Sequence, residues 1–176
     1  MINNREAIKN TRDILDTLAS CGINAWIQDG TLLGLVREGR IIPWDHDTDT
    51  GVFYSNWNDA AFDALTEEGF ELTATLGTRT NGWQHRWTRN NVKTDIFFYY
   101  TNQDTTIWHA AYLQKTVQYR FTYPHFDTAP LKTAAGVFNA PDPAVNFLIT
   151  KYGPDWKKPQ RRWHFANSPL NGAKQS

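Results

Sequence analysis

The 176-residue sequence predicts an α+β fold, a mixed β-sheet flanked by helices. Three observations carry the prediction: a polar opening with apolar residues at three- and four-residue spacing, a cluster of strand-forming runs in the middle, and a proline-led apolar segment near the end. Arg5 to Ser20 places Ile8, Thr11, Leu15, Leu18 and Ala19 along one side of a helix, and Cys21-Gly22 ends it. "INAWIQ" is then a short strand, broken at Asp29-Gly30. From Thr31, "TLLGLVREG" reads as a short helix with Gly39 as its stop, and Asp49 to Tyr54 returns as a strand. Ser55 or Asn56 is expected to cap a helix holding Trp57, Ala61, Phe62 and Leu65 and stopping at Gly69, after which "FELTATL" alternates as a strand does. Further strands are expected in "WQHRWT" (83–88), "VKTDIFFYY" (92–100) and "TVQYRFTY" (116–123). In "PDPAVNFLITKYG", Pro141 and Pro143 precede an apolar helix closed by Gly153 and Pro154. No repeat, linker or low-complexity tract interrupts the chain, so a single domain over residues 1–176 is expected.

Charge and composition narrow the function. Lysine plus arginine and aspartate plus glutamate both number 18, so no bulk field draws the chain to nucleic acid or to an anionic membrane, and recognition of a phosphorylated ligand must be local. The lone cysteine, Cys21, excludes an internal disulfide framework and a cysteine-rich zinc site, and fits a reducing compartment. The opening "MINNREAIKNTRD" lacks the apolar run of a signal peptide, and no stretch approaches the ~20 apolar residues of a membrane span. A soluble, cytoplasmic protein is expected. Eight tryptophans, many beside polar residues as in "NGWQHRW" and "QRRWHF", suit either a stacking ligand such as a sugar or nucleotide, or an aromatic core with a polar rim.

The chemistry concentrates in "IIPWDHDTDTGVFY", Ile41 to Tyr54, where Asp45, Asp47 and Asp49 recur at every second position. An EF-hand loop beginning at Asp45 needs glycine at its sixth position and glutamate at its twelfth, and the chain has Thr50 and Asn56 there. A solvated turn initiated at Pro43 is the simpler alternative. Against it, alternate side chains of an extended chain share a face, so Asp47 and Asp49 project together at the head of a strand whose Val52 and Phe53 look buried. Carboxylates so close repel unless a cation sits between them, and hard oxygen ligands select Mg2+ or Mn2+. In "VKTDIFFYY", Asp95 is a lone acid among strand formers, and burying it unpaired is costly. It either completes the acid cluster from a neighbouring strand or pairs with Lys93 or Arg86 on its own sheet face. Upstream, Gly30-Thr31 stands at a strand-to-helix junction, where free backbone N–H groups and the helix dipole favour a phosphate. Gly-Thr, then Asp-x-Asp on a strand, then a further strand aspartate is the pattern of the nucleotidyltransferase fold.

The run "GTLLGLVREGRIIPWDHDTDTGV" also resembles the signature of the LicD family, phosphotransferases that include phosphocholine transferases and fukutin-type ribitol-phosphate transferases. "VKTDIFFYY" resembles the strand carrying that family's third acid, and "FNAPDPAVNFLITKYGPDWKKP" resembles its closing segment. The likeness runs from about Trp26 to Pro159, with no motif matched in 70–84 or 101–137. The resemblance implies a nucleotidyltransferase-like fold and transfer of a phospho-alcohol (phosphocholine, ribitol phosphate or glycerol phosphate) from a CDP-activated donor to a glycan hydroxyl, releasing CMP. It implies that Gly30 and Thr31 meet phosphate and that Asp47 and Asp49 hold the metal. Asp45 is then a ligand or stands behind one, and Asp95 completes the metal site or takes the acceptor proton. His46, which replaces a fourth acid found in some members, tilts the donor towards polyol phosphates.

Arg37 and Arg40, just after the phosphate-cradling helix, are either pyrophosphate contacts or solvated helix-end cations. Lys93, on the face of Asp95, reaches phosphate or pairs with an aspartate. His85 and His109 are bases or ring-stacking partners for substrate or, more often for such histidines, hydrogen-bonded structural residues, and Arg161, Arg162 and His164 either touch substrate phosphate or form a solvated basic tail. Two other functions stay open. A true nucleotidyltransferase would attach the nucleotide itself and release pyrophosphate. A catalytically inactive binding module would keep the fold, which the intact Asp47, Asp49 and Asp95 set argues against.

Overall fold

The computed structural model describes residues 2–102, 105–168 and 173–174. Its first helix, α1 (Asn4–Ser20), begins where Asn3 Oδ1 accepts the Glu6 N–H at 3.3 Å and ends at Cys21 and Gly22, whose φ of +76° turns the chain back. Strand β1 (Ala25–Ile27) leads through Gln28 into α2 (Asp29–Arg37), which starts two residues ahead of the expected Thr31. Strand β2 (Asp47–Phe53) likewise begins earlier than expected, so both Asp47 and Asp49 lie within it. Helix α3 (Ala60–Glu67) corrects the expected cap: residues 54–56 form a single tight turn, Trp57 precedes the helix, and Asn58 Oδ1 accepts the Ala60 N–H at 3.1 Å.

Four strands then run β3 (Glu71–Thr78), β4 (Asn81–Arg89), β5 (Val92–Asn102) and β6 (Thr106–Leu113), followed by β7 (Val117–Pro124) and the hairpin β8 (Asp127–Thr133) with β9 (Gly136–Asp142). Helix α4 (Ala144–Tyr152) and the short β10 (Ala173–Lys174) complete the order. Strands β6, β8, β9 and β10 were not expected from the sequence. Strand β5 organises the sheet. Its first part pairs parallel with β2 and antiparallel with β4, whereas Tyr100 to Asn102 pair with β6, which passes the sheet on through β7 to β10. A strand with neighbours on both edges and cover on both faces reads as a continuous apolar run, and six consecutive residues, Thr94–Tyr99, are buried.

The two faces of this central sheet differ. Thr48, Thr50, Val52, Ile96, Phe98, His85 and Trp87 point to one side, which α1 and α3 cover. The other side carries Asp47, Asp49, Asp95, Arg86 and Gln84, beside α2 and α4. Position 51 faces this second side by alternation, and Trp26 crosses it there: a Cβ would stand 2.5 Å from Trp26 Nε1 and 2.6 Å from Gln28 Oε1. Among the described residues no helix is long and apolar enough to cross a membrane.

Candidate active site

Sheet register brings the acids together. In the parallel β2–β5 pair Asp49 stands opposite Asp95 and Asp47 opposite Lys93; in the antiparallel β4–β5 pair Arg86 stands opposite Asp95. Asp49, Asp95 and Arg86 therefore form a row across three strands, on one face because side chains alternate. The turn into α2 closes on this row. Gly30 N–H donates to Asp49 Oδ2 at 3.0 Å, and Thr31 Oγ1 accepts the Asp49 N–H at 2.7 Å. A Cβ on Gly30 would lie 2.7 Å from Asp45 Oδ2 and 3.2 Å from Asp49 Oδ2, so glycine leaves the space on which these two carboxylates converge. Asp95 is clamped from the other side. Arg86 donates from Nε to Oδ1 at 2.7 Å and from Nη2 to Oδ2 at 2.6 Å, and Gln84 Nε2 donates to Oδ2 at 2.8 Å. Arg86 Nη2 is also 3.8 Å from Asp47 Oδ2.

Crowding makes the acids hard to ionise. Burial pushes the Asp47 carboxyl up to about 7, reinforced by the charges of Asp95 and Asp45 and only partly offset by Arg86 and Lys93. Asp49 is driven well above the usual carboxylate range by burial, then by Asp47, Asp29, Asp45 and Asp95. Burial also raises Asp45, and raises Asp95 despite its guanidinium partner. Such a cluster is short of positive charge, and its all-oxygen donors fit a hard divalent ion that completes its shell with water and phosphate. Beside Gly30, Asp45 and Asp49 offer such donors. Among the described residues no three His, Cys, Asp or Glu side chains already stand close enough to close on one ion. Asp95, held by Arg86 and Gln84, is turned to those partners.

The row floors a cavity of about 500 Å³, the size of site that takes one small organic molecule. Aromatic and basic side chains line the same cavity: Trp44, Tyr152, Trp156 and Trp163, together with Lys158 and Arg161. Tyr152 and Trp163 have ring centroids 4.6 Å apart, and the Arg161 guanidinium sits 5.2 Å from the Trp44 ring. Asp29 takes the left-handed conformation at φ +44°, and its Oδ2 accepts from the buried Lys151 Nζ of α4 at 3.1 Å. Asp29 Oδ1 is buried without a hydrogen-bond partner.

Of the residues singled out from the sequence, Gly30, Arg37, Asp45, His46, Asp47, Asp49 and Asp95 line the cavity. Arg37 is tied to Glu38 Oε1 by Nε at 3.0 Å and Nη2 at 2.6 Å. Thr31 lies buried beneath the cavity, with its hydroxyl on Asp49. Arg40 is exposed, 3.6 Å from Glu38 Oε2, and Lys93 is exposed beside Asp47; neither lines the cavity. His85 and His109 are buried elsewhere, His85 among aromatic rings and His109 stacked on Phe121 with Tyr123 Oη 3.4 Å from its Nε2. Of the basic tail, Arg161 and His164 line the cavity. Sequence reasoning missed Asp29, Lys151, Gln84 and the tail aromatics. Strand alternation points to Gln84, two residues before Arg86, whereas nothing local links Asp29 to a lysine 122 positions away.

A family model described as LicD/FKTN/FKRP, nucleotidyltransferase domain, matches residues 22–139, which contain every acid of the row. The chain is 29% identical over 157 residues to the ribitol-5-phosphate transferase FKTN of Mus musculus, covering 88% of this chain and 34% of that protein. It is 28% identical over 163 residues to the ribitol 5-phosphate transferase FKRP of Homo sapiens, covering 84% of this chain and 31% of that protein. The chain thus spans about a third of the length of these curated relatives. With the matched residues covering more than half of it and enclosing the acid row, the chain belongs to the LicD/FKTN/FKRP nucleotidyltransferase-domain family.

Proposed function

We propose that the chain is a divalent-metal-dependent phosphotransferase that moves a phospho-alcohol, such as ribitol phosphate, phosphocholine or glycerol phosphate, from a CDP-activated donor to a glycan hydroxyl. CMP is the leaving product. The observation that carries this reading is the row of Asp47, Asp49 and Asp95 on one sheet face, with Asp45 and Asp49 meeting beside Gly30, in a cavity also lined by aromatic and basic side chains. Asp45, Asp47 and Asp49, with Asp95, would hold Mg2+ or Mn2+, which supplies neutralisation of the phosphate charges at the transferring phosphorus. The protein's own groups do the positioning. Arg37 faces the cavity with a guanidinium suited to pyrophosphate oxygens, and Trp163 and Tyr152 offer faces for the donor's base. The new bond joins the acceptor oxygen to the phosphorus bearing the alcohol, and the bond to CMP breaks. The names of the FKTN and FKRP relatives favour ribitol phosphate as the first donor to try.

The test incubates the protein with CDP-ribitol, CDP-choline or CDP-glycerol, a glycan acceptor, and Mg2+ or Mn2+. CMP release that Asp49→Asn abolishes, with the variant's circular dichroism unchanged, is the expected result. Pyrophosphate release from CTP with no CMP from any CDP-alcohol would sink the reading in favour of nucleotidyl transfer.

A further inference from the structure

The clamp on Asp95 has a capacity that can be counted. A carboxylate oxygen offers two lone pairs. Asp95 Oδ2 already accepts from Arg86 Nη2 at 2.6 Å and Gln84 Nε2 at 2.8 Å, and Oδ1 accepts from Arg86 Nε at 2.7 Å. One lone pair, on Oδ1, remains. The guanidinium that fills two of the other three belongs to a side chain that is 30% exposed, lines the cavity, and has Asp47 Oδ2 3.8 Å from the same Nη2. Among the described residues it is the cavity-lining cation within 4 Å of both Asp47 and Asp95, and its planar fork suits a phosphate as well as a carboxylate.

We propose that Arg86 is an exchangeable counter-cation: it neutralises Asp95 and Asp47 while the acid row is empty, releases Asp95 when a divalent ion is bound, and then binds the donor's phosphate. This rests on the metal-dependent reading above. Arg86 and the ion compete for the same oxygens, so each weakens the other's hold on Asp95. The donor's phosphate resolves the competition by giving the released fork a second anion. Gln84 stays with Asp95 throughout and keeps the side chain from turning away.

The competition has an unusual signature, because removing a cation from the site should tighten the binding of another cation. Mn2+ titrated by calorimetry without nucleotide should bind Arg86→Met at least about tenfold more tightly than the unaltered chain, the weight of one charge-assisted hydrogen bond. With Mg2+ present, CDP should bind the same variant at least about tenfold more weakly, since a charged phosphate contact is lost. If Arg86 is only a structural brace, the variant binds Mn2+ equally or less well, and the proposal falls. Should Arg86→Met not fold, the unaltered protein answers alone. Its Arg86 Nε–H resonance, assigned by through-bond correlation to the Arg86 backbone in the isotope-labelled protein, should move on adding Mg2+ and move again with CDP; no movement overturns the exchange. Failure of the unaltered chain to bind any divalent ion would instead bring down the metal-dependent reading, and the exchange with it.

Discussion

Two glycines show what a single methyl group tests. At Gly30 an added Cβ meets the ends of two side chains, Asp45 Oδ2 and Asp49 Oδ2, whereas at Gly34 it meets backbone, 2.6 Å from Arg40 O and 3.0 Å from Ile42 N. Side-chain ends swing aside and backbone does not. Gly30→Ala should therefore change unfolding free energy by no more than about 1 kcal/mol yet, on the proposed function, cut transfer activity about a hundredfold, because it displaces the carboxylates proposed to support the reacting centre. Gly34→Ala should cost about 1–3 kcal/mol in urea unfolding through overpacking. Equal stability losses in the two variants would contradict this division. His85 is a second residue-scale test. It is buried with both ring nitrogens unpartnered, and burial, with Arg79 adding a little, holds its pKa down at about 3. Its unfolded value is about 6.5, so the stability it contributes by staying neutral is full above that pH and drains as pH falls from there towards 3. His85→Leu removes two orphaned nitrogens, so it should gain about 1 kcal/mol at neutral pH and flatten the acid loss between about pH 6.5 and pH 4. A variant that loses stability faster in acid than the parent would refute this.

At the scale of elements, what could be read from the sequence tracks how local the signal is. Helices α1 and α4 announce themselves by periodicity and by Gly22 and Gly153, and the shared face of Asp47 and Asp49 follows from alternation within seven residues of one strand. Arg86 was visible only as one of two partners for Asp95, since alternation fixes the face and only strand pairing fixes the register. Strands β8 and β9 stayed hidden because they pair with each other rather than in the main sheet, contain Pro130 and Pro141, and alternate without a clear apolar side. The tie between α2 and α4 was invisible for a different reason. Lys151 and Asp29 are 122 positions apart, and each alone looks like a surface charge. Burial lowers the Lys151 pKa while Asp29 pulls it back, and the pair holds the turn that presents Gly30 to Asp49. Lys151→Met strands Asp29 in the interior and should cost about 3–5 kcal/mol, whereas Lys151→Met with Asp29→Asn should recover much of that. Urea unfolding of the two variants checks the order; a double variant no better than the single would mean the lysine acts through packing on Phe121 instead.

For the whole molecule, the cavity is the meeting of two parts with different origins in the chain. The acid row comes from β2, β4 and β5, inside the residues that match the family model, while most of the aromatic lining comes from the tail beyond them, with Tyr152, Trp156 and Trp163 beside Lys158 and Arg161. The division predicts separable losses. Trp163→Ala removes a ring face that packs on Tyr152, and an aromatic stack on a base is worth about 1–3 kcal/mol, so CMP measured without added ion should bind about tenfold or more weakly. Its Mn2+ affinity should stay within about threefold of the parent, because the row is untouched. Asp49→Asn should do the reverse, losing Mn2+ while keeping CMP. Calorimetry with each ligand on each variant measures both. If either substitution lowers both affinities in step, the two parts act as one site and the tail contributes to holding the acid row rather than to holding the donor's base.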